Sequence, residues 1–377
     1  MSLGDFPRLF SAEYHPHSVL TFKFQSIIIK LRICEGVNVM KGVIYHGIHD
    51  ISVEELPAPQ PTANDLVLKV MRNGICGSDL HAYNLGGDEI GILKGGALGH
   101  EFVGEVAEVG ANVQGIHPGD HVFVNPSRAK GSTSQLAMAG GLSQLNLIKD
   151  AVLNDNVFLL PSDLSFDRAV VIEPYAVGIH GKNIVHPTPE QSFCIFGAGP
   201  VGLASASGLL QQGITQVAVV DIDEQRLAFA KRLGAHVINS AKTDLTAALK
   251  DLFGTGTGLM GDERIGVDTY IDCVGLPSFM TDFIAQAKFG AKFVVVALGA
   301  EPVTFKPQFL AMNEISLIGS AIYTATDIQE AIANVAQPDN LFPNIVSAHY
   351  PLADSEQAFQ RANTDKTALK VVIDVND

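Results

Sequence analysis

One stretch limits what this chain can fold into: Ser192-Phe-Cys-Ile-Phe-Gly-Ala-Gly-Pro-Val-Gly202. Phe193 to Phe196 form an apolar run that ends in glycine, and Leu203 to Leu210 continue in small and apolar residues. The pattern reads as a buried strand, a tight turn and a helix. Gly197, Gly199 and Gly202 have the G-x-G-x-x-G spacing, with Pro200 and Val201 filling the positions before the third glycine. The first glycine permits the turn, the second lets the backbone approach a pyrophosphate, and the third lets helix and strand pack closely. Backbone N–H groups at the helix start then face the phosphates, where the helix dipole favours negative charge.

A lone glycine motif is weak, so its context matters. A second strand, Gln216 to Val220, ends at Asp221, which lies 24 residues after Gly197 (221 − 197). A carboxylate about 20 residues on binds the adenosine ribose in such units. Asp221 would bond the 2′- and 3′-hydroxyls and repel a 2′-phosphate, which predicts NAD(H) over NADP(H). The bland alternatives are a nucleotide-free doubly wound fold and a strand-end cap at Asp221. Arg226 either meets the adenosine or its phosphates, or is a plain surface arginine.

From about Gln191 strands and helices alternate. Strands are expected at 192–196, 216–220, 236–238, 267–272, 292–298 and 315–318, and a helix from Glu224 to Leu233 stops at Gly234. Six such strands fit a doubly wound parallel sheet. Thr255 to Gly261 reads as a flexible loop, and helices are expected from Asp327 to Val335 and from Ser355 to Asn363. A terminal strand, Leu369 to Asp374, is expected to return to the first domain.

From Met40 to about Pro161 short β-prone segments dominate, punctuated by Gly, Pro and Asn, which suggests a partly open barrel. Residues 1–39 look unlike the rest. Ser18 to Ile33 is apolar and partly alternating, and three readings stand: an upstream start or added sequence, an extra hairpin, or a targeting segment. The last lacks a charged leader with a cleavage site. The chain therefore divides into 1–39 (extension), 40–190 (catalytic domain, first part), 191–324 (nucleotide domain) and 325–377 (return to the catalytic domain).

The 377 residues suffice for two domains, and 47% apolar with 17% charged content excludes a disordered chain. A formal charge of −15 argues against nucleic acid or an anionic membrane surface as partner. No apolar run reaches the ~18 residues of a membrane span. Four cysteines without a C-x-x-C pair fit a reducing, cytoplasmic setting.

A second centre of chemistry lies in Ile75-Cys-Gly-Ser-Asp-Leu-His81, Leu98-Gly-His-Glu-Phe102 and Val171-Ile-Glu-Pro-Tyr175. Cys76, His100, Glu101 and Glu173 offer a thiolate, an imidazole and two carboxylates. Three protein ligands with an open position make a catalytic zinc site, and this donor set suits zinc better than magnesium or calcium. Asp79 is available as a partner for His100.

These motifs, with G-A-G-P-V-G and the D-C-V-G of Asp272 to Gly275, resemble the zinc-dependent medium-chain dehydrogenases, in the polyol (sorbitol) and threonine dehydrogenase branch. The resemblance runs from Met40 to the C-terminus. It implies an α/β fold: a GroES-like barrel plus a Rossmann doubly wound sheet. It implies zinc on Cys76 and His100, Glu101 as a ligand in some states, and Glu173 at the third ligand position. Ser78 and His81 map to a proton relay through the nicotinamide ribose, and Val274 to the cofactor site. The implied reaction transfers a hydride from a secondary alcohol or polyol to NAD+, in a homodimer or homotetramer. Many relatives carry a four-cysteine lobe binding a second zinc; Asn125 to Gln135 is short and has no cysteine, so one zinc per chain is expected. Tyr83 and Asn125 are candidate pocket walls. The competing readings are a zinc-free quinone or enone reductase of the same superfamily and a nucleotide-binding protein without turnover.

Overall fold

The computed structural model describes residues 39–129, 140–299 and 301–377. The readings of the N-terminal extension up to residue 38, and of 130–135 in the short stretch after Asn125, lie outside the described residues.

The first part is β-rich: β1 (Val39–Gly47), β2 (Asp50–Pro57), β3 (Leu66–Gly74), β4 (Gly96–Ala97), β5 (Glu101–Val109), β6 (His121–Val124), β7 (Leu145–Ile148) and β8 (Val157–Leu159). Helix α1 (Gly77–Leu85) follows β3. Leu66, Leu68 and Val70 of β3 and Phe102 and Val106 of β5 fill one core. The antiparallel pairing of these two strands shifts register twice, and ends with Asn73 opposite Phe102 and Gly74 opposite Glu101. Such shifts re-aim side chains; here they bring the end of β3 against the start of β5, where the candidate ligands lie.

Two helices lead on, α2 (Phe166–Ala169) and α3 (Ile172–Asn183). Then come β9 (Phe193–Phe196), α4 (Pro200–Gln211), β10 (Val217–Asp221), α5 (Glu224–Leu233), β11 (His236–Asn239), α6 (Leu245–Phe253), β12 (Thr255–Thr257), β13 (Glu263–Ile265), β14 (Thr269–Asp272), α7 (Pro277–Gln286), β15 (Lys292–Val295), α8 (Gln308–Asn313) and β16 (Ser316–Gly319). Six of these strands form a parallel sheet in the order β11-β10-β9-β14-β15-β16. The order reverses between β9 and β14, and the carboxyl ends of strands at such a switch point hold ligands. Gly197 follows directly on the end of β9, and Val274 is two residues past the end of β14.

The six strands fall where the apolar runs predict. The inner strands β9, β10 and β14 are buried on both faces and read as continuous, mainly hydrophobic segments. Gly197 has φ +99, and a Cβ on Gly202 would sit 1.9 Å from the Gly197 carbonyl, so the third glycine is where helix and strand touch. Gly234 ends α5 at φ +105. One expectation fails. Thr255 to Gly261 is not a plain loop, because Thr255–Thr257 pairs with Glu263–Ile265 as an antiparallel hairpin. Glycine content read as looseness; instead Lys288 crosses Gly256 where a Cβ would meet it at 2.7 Å.

The tail contributes α9 (Ala325–Ala336), β17 (Val346–Pro351), α10 (Ser355–Thr364) and β18 (Lys370–Asp374). β18 pairs antiparallel with β3, Val372 opposite Gly74, and β17 lies parallel to β18. The resulting sheet runs β17-β18-β3-β5-β6-β8, with β7 also on β3. Thus the last strand runs beside the end of β3. Among the described residues no helix is long and apolar enough to cross a membrane.

Candidate active site

Cys76 stands at the N-terminus of α1, where its backbone N–H donates to Asp79 Oδ2 at 2.9 Å. His100 follows Gly99, whose φ of +91 turns the chain into β5, and Glu101 is the first residue of that strand. The ligand atoms of Cys76, His100 and Glu101 all lie within 4.8 Å of one another. Glu173, in the first turn of α3, lies outside that set but close enough to act on it electrostatically.

The site's charges are buried. Burial opposes a charged His100, but Cys76, Asp79 and Glu173 outweigh it and hold the imidazole pKa well above its usual value. Burial raises Asp79, and burial with the neighbouring Glu101 raises Glu173 to about 7. Such a concentration of acidic groups favours a cation. Asp79 Oδ1 is buried without a hydrogen-bond partner and lies 3.7 Å from His100 Nδ1. Nδ1 thus faces Asp79, which leaves Nε2 for a metal ion. A thiolate, an imidazole and a carboxylate converging in this way fit zinc.

Two neighbours had no place in the sequence reading. Lys370 of β18 donates from Nζ to both Glu101 oxygens and to the Ile75 carbonyl. Its signal was a lysine inside an apolar strand. A Cβ on Gly74 would lie 2.2 Å from Glu101 Oε2, so glycine opposite Glu101 makes room for that carboxylate. Tyr323 is 8% exposed, and its hydroxyl, near enough to Glu173 to affect its charge, has no partner within hydrogen-bond geometry. It precedes the N-cap of α9, where Thr324, His180 and Asn183 all donate to or share a proton with Asp327. That network ties α9 to α3, and so Tyr323 to Glu173.

Ser78 and His81 are half-buried and three residues apart on α1, hence on adjoining positions of one face. Tyr83 and Asn125 are not placed as free pocket walls. Tyr83 is buried against Phe359 and His49, and Asn125 accepts from Ser127 and belongs to a turn.

The cofactor candidates meet in a cleft of about 540 Å³ at the switch point, lined by Gly197, Gly199, Asp221, Arg226 and Val274. A Cβ on Gly199 would meet nothing within 4 Å, so the space beside it is open to a ligand. Pro200 and Val201 form the first turn of α4, at the positive end of its dipole. Asp221 Oδ2 accepts from the Ala198 N–H, and Oδ1 from those of Ile222 and Asp223. Asp272 holds the turn carrying Val274 by accepting from the Val274 and Gly275 N–H groups. Arg226 reaches the cleft, but its guanidinium is bonded to the Lys366 carbonyl. An open glycine floor, a helix start and a fixed carboxylate suit a dinucleotide.

Known proteins resemble this chain over most of its length. Residues 62–153 match the alcohol dehydrogenase GroES-like domain, and residues 200–337 match the zinc-binding dehydrogenase family. A sorbitol dehydrogenase of Bacillus subtilis (strain 168) is 32% identical over 356 residues, covering 89% of this chain and 97% of that protein. The sorbitol dehydrogenase of Bos taurus is 30% identical over 354 residues, again 89% and 97%. The crystal structure of 2R,3R-butanediol dehydrogenase from Bacillus subtilis superposes with a TM-score of 0.76 at 24% identity, covering 89% of this chain and all of that one, which shows the shared fold.

Proposed function

The chain belongs to the zinc-dependent medium-chain dehydrogenases, and on that premise we propose how its residues divide the work. The reaction is NAD-dependent oxidation of a secondary alcohol or polyol to the ketone. Cys76, His100 and Glu101 hold the zinc, and Glu173 faces it. The observation that carries this assignment is their convergence within 4.8 Å beside the orphaned Asp79 oxygen. The names of the sorbitol dehydrogenase relatives support a polyol as substrate class.

When bound, zinc polarises the substrate hydroxyl and NAD+ accepts the hydride. Asp79 orients His100, and Lys370 holds Glu101. Ser78 and His81 form the proton relay, with Ser78 at the substrate hydroxyl and His81 toward solvent. The backbone at Gly199 and the start of α4 bind the pyrophosphate, Asp221 binds the adenosine ribose hydroxyls, and Val274 walls the cleft.

Residues 40–190 with 325–377 form the catalytic part, and 191–324 the nucleotide part. The protein works as a homodimer or homotetramer: among the described residues no strand pairs with the outer edge of β16, and Leu298, Phe309 and Met312 nearby in sequence are exposed. A cytoplasmic setting suits Cys76, Cys194 and Cys273, none of which is in a disulfide among the described residues.

Metal analysis of protein purified without chelator tests the assignment. About one zinc per chain, lost on chelation together with NAD+-dependent oxidation of a polyol panel, is the expected result. A folded protein that binds NADH without zinc would overturn it in favour of a zinc-free reductase or a binding protein.

A further inference from the structure

The ribose end of the cofactor cleft carries more than the aspartate that selects NAD. Lys366, from the turn between α10 and β18, lines it together with Asp221, Arg226 and Ser240. This turn is built. Asp365 accepts from the Thr367 N–H and hydroxyl at 2.8 and 2.6 Å, and pairs with Arg361 at 2.7 Å. Its Lys366 carbonyl accepts from Arg226 Nε and Nη2 at 3.2 and 3.1 Å, which fixes the turn against α5.

Two positive groups result. Arg226 keeps Nη1 without a partner among the described residues. Lys366 Nζ has one contact there, a long one of 3.3 Å to the Asn363 carbonyl. In the same cleft stands Asp221, whose carboxylate is held by three backbone N–H groups at 2.7 to 2.9 Å. Neutral ribose hydroxyls need no cation. A 2′-phosphate is a dianion that pairs with lysine and arginine, and a fixed carboxylate beside it is repulsive.

We propose that Lys366 is a cofactor-specificity residue: with Arg226 it forms a latent 2′-phosphate site that Asp221 alone keeps closed. This rests on reading the cleft as the cofactor site. Lys366 adds little to NAD(H) binding in the native chain, but it supplies most of the NADP(H) affinity once Asp221 is neutralised. Its carbonyl, not its side chain, holds Arg226, so truncating the side chain leaves the turn in place.

The test is binding alone, with the full zinc-loaded chain. Affinities for NADH, NADPH, 5′-AMP and 2′,5′-ADP are measured by fluorescence and calorimetry on the native protein, on Asp221→Asn and Asp221→Ser, and on each combined with Lys366→Met. The aspartate variants should gain about tenfold or more for NADPH and 2′,5′-ADP. Adding Lys366→Met should remove most of that gain while changing 5′-AMP binding by less than about twofold. Lys366→Arg should restore it. Equal 2′,5′-ADP binding with and without the lysine in both aspartate backgrounds overturns the proposal, as does no gain in either variant that still binds NADH. Failure of the folded native protein to bind NADH or 5′-AMP overturns the cofactor reading itself.

Discussion

Lys370 Nζ donates to both carboxylate oxygens of Glu101, at 2.7 and 2.6 Å, with both side chains almost fully buried. Burial opposes the ammonium charge, but Glu101 and Cys76 raise its pKa above the usual value. The same carboxylate lies within ligand distance of Cys76 and His100, so lysine and metal compete for it. Lys370→Met leaves Glu101 buried without a cation, and breaking a buried pair this way costs about 3–5 kcal/mol. In zinc-loaded protein Glu101 has the metal to turn to, and the loss should be smaller. Urea midpoints with and without chelator measure this. Equal losses in both states would mean that Glu101 never meets the metal.

Glu173 sets a pH dependence in the metal-free protein. Its folded carboxyl keeps a proton up to about 7, while the unfolded chain releases it near 4.5. The stability it contributes is therefore complete below that unfolded value and is lost as pH rises through the folded one. Glu173→Gln cannot ionise. Across that window it should gain on the wild type, reaching about 3 kcal/mol above the folded pKa. Denaturant unfolding of chelated protein over this pH range reads the difference. A flat difference would show that Glu173 is ionised throughout.

The reach of sequence reasoning follows contact distance along the chain. Strands β9, β10 and β14 are buried, mainly apolar runs, and α5 ends in a left-handed glycine; both signals are local. Cys76, His100 and Glu101 were legible because a helix start and a strand start carry them in short motifs. Lys370 meets Glu101 from 269 residues away, through the pairing of β18 with β3, and no local pattern encodes that partner. Tyr323 is hidden in the same way, delivered to Glu173 by the packing of α9 on α3. Gly256 failed for the opposite reason: a glycine kept for close packing looks, in sequence, like one kept for flexibility.

Gly199 and Gly202 separate folding from binding. A Cβ on Gly202 would sit 1.9 Å from the Gly197 carbonyl, so Gly202→Ala forces the helix off the strand. Overpacking of this kind costs about 1–3 kcal/mol. Gly199 has open space and an ordinary φ of −79, so Gly199→Ala should lose less than about 1 kcal/mol. Its methyl group instead fills the approach to the pyrophosphate, and NADH affinity should fall about tenfold or more. Melting curves and NADH titration of the two variants check this. Native NADH affinity in Gly199→Ala would remove the pyrophosphate from that spot.

Ser78 tests the proton path without disturbing the metal. It is the second residue of α1, but it does not cap the helix; Cys76 is the N-cap, and Asp79 accepts from its N–H. The ligand-bearing residues are held by other contacts, Asp79 against His100 and Lys370 against Glu101. Ser78→Ala should therefore fold, keep its zinc and bind NADH as before. Its hydroxyl lies one turn before His81 on α1, its partner in the proposed relay. Removing it should cut turnover about a hundredfold. His81→Gln should cost less, because solvent can take over the outer transfer. Steady-state turnover, with zinc content measured on the same samples, decides it. Wild-type turnover in Ser78→Ala would take Ser78 out of the relay and leave the proton to reach solvent by a path that avoids α1.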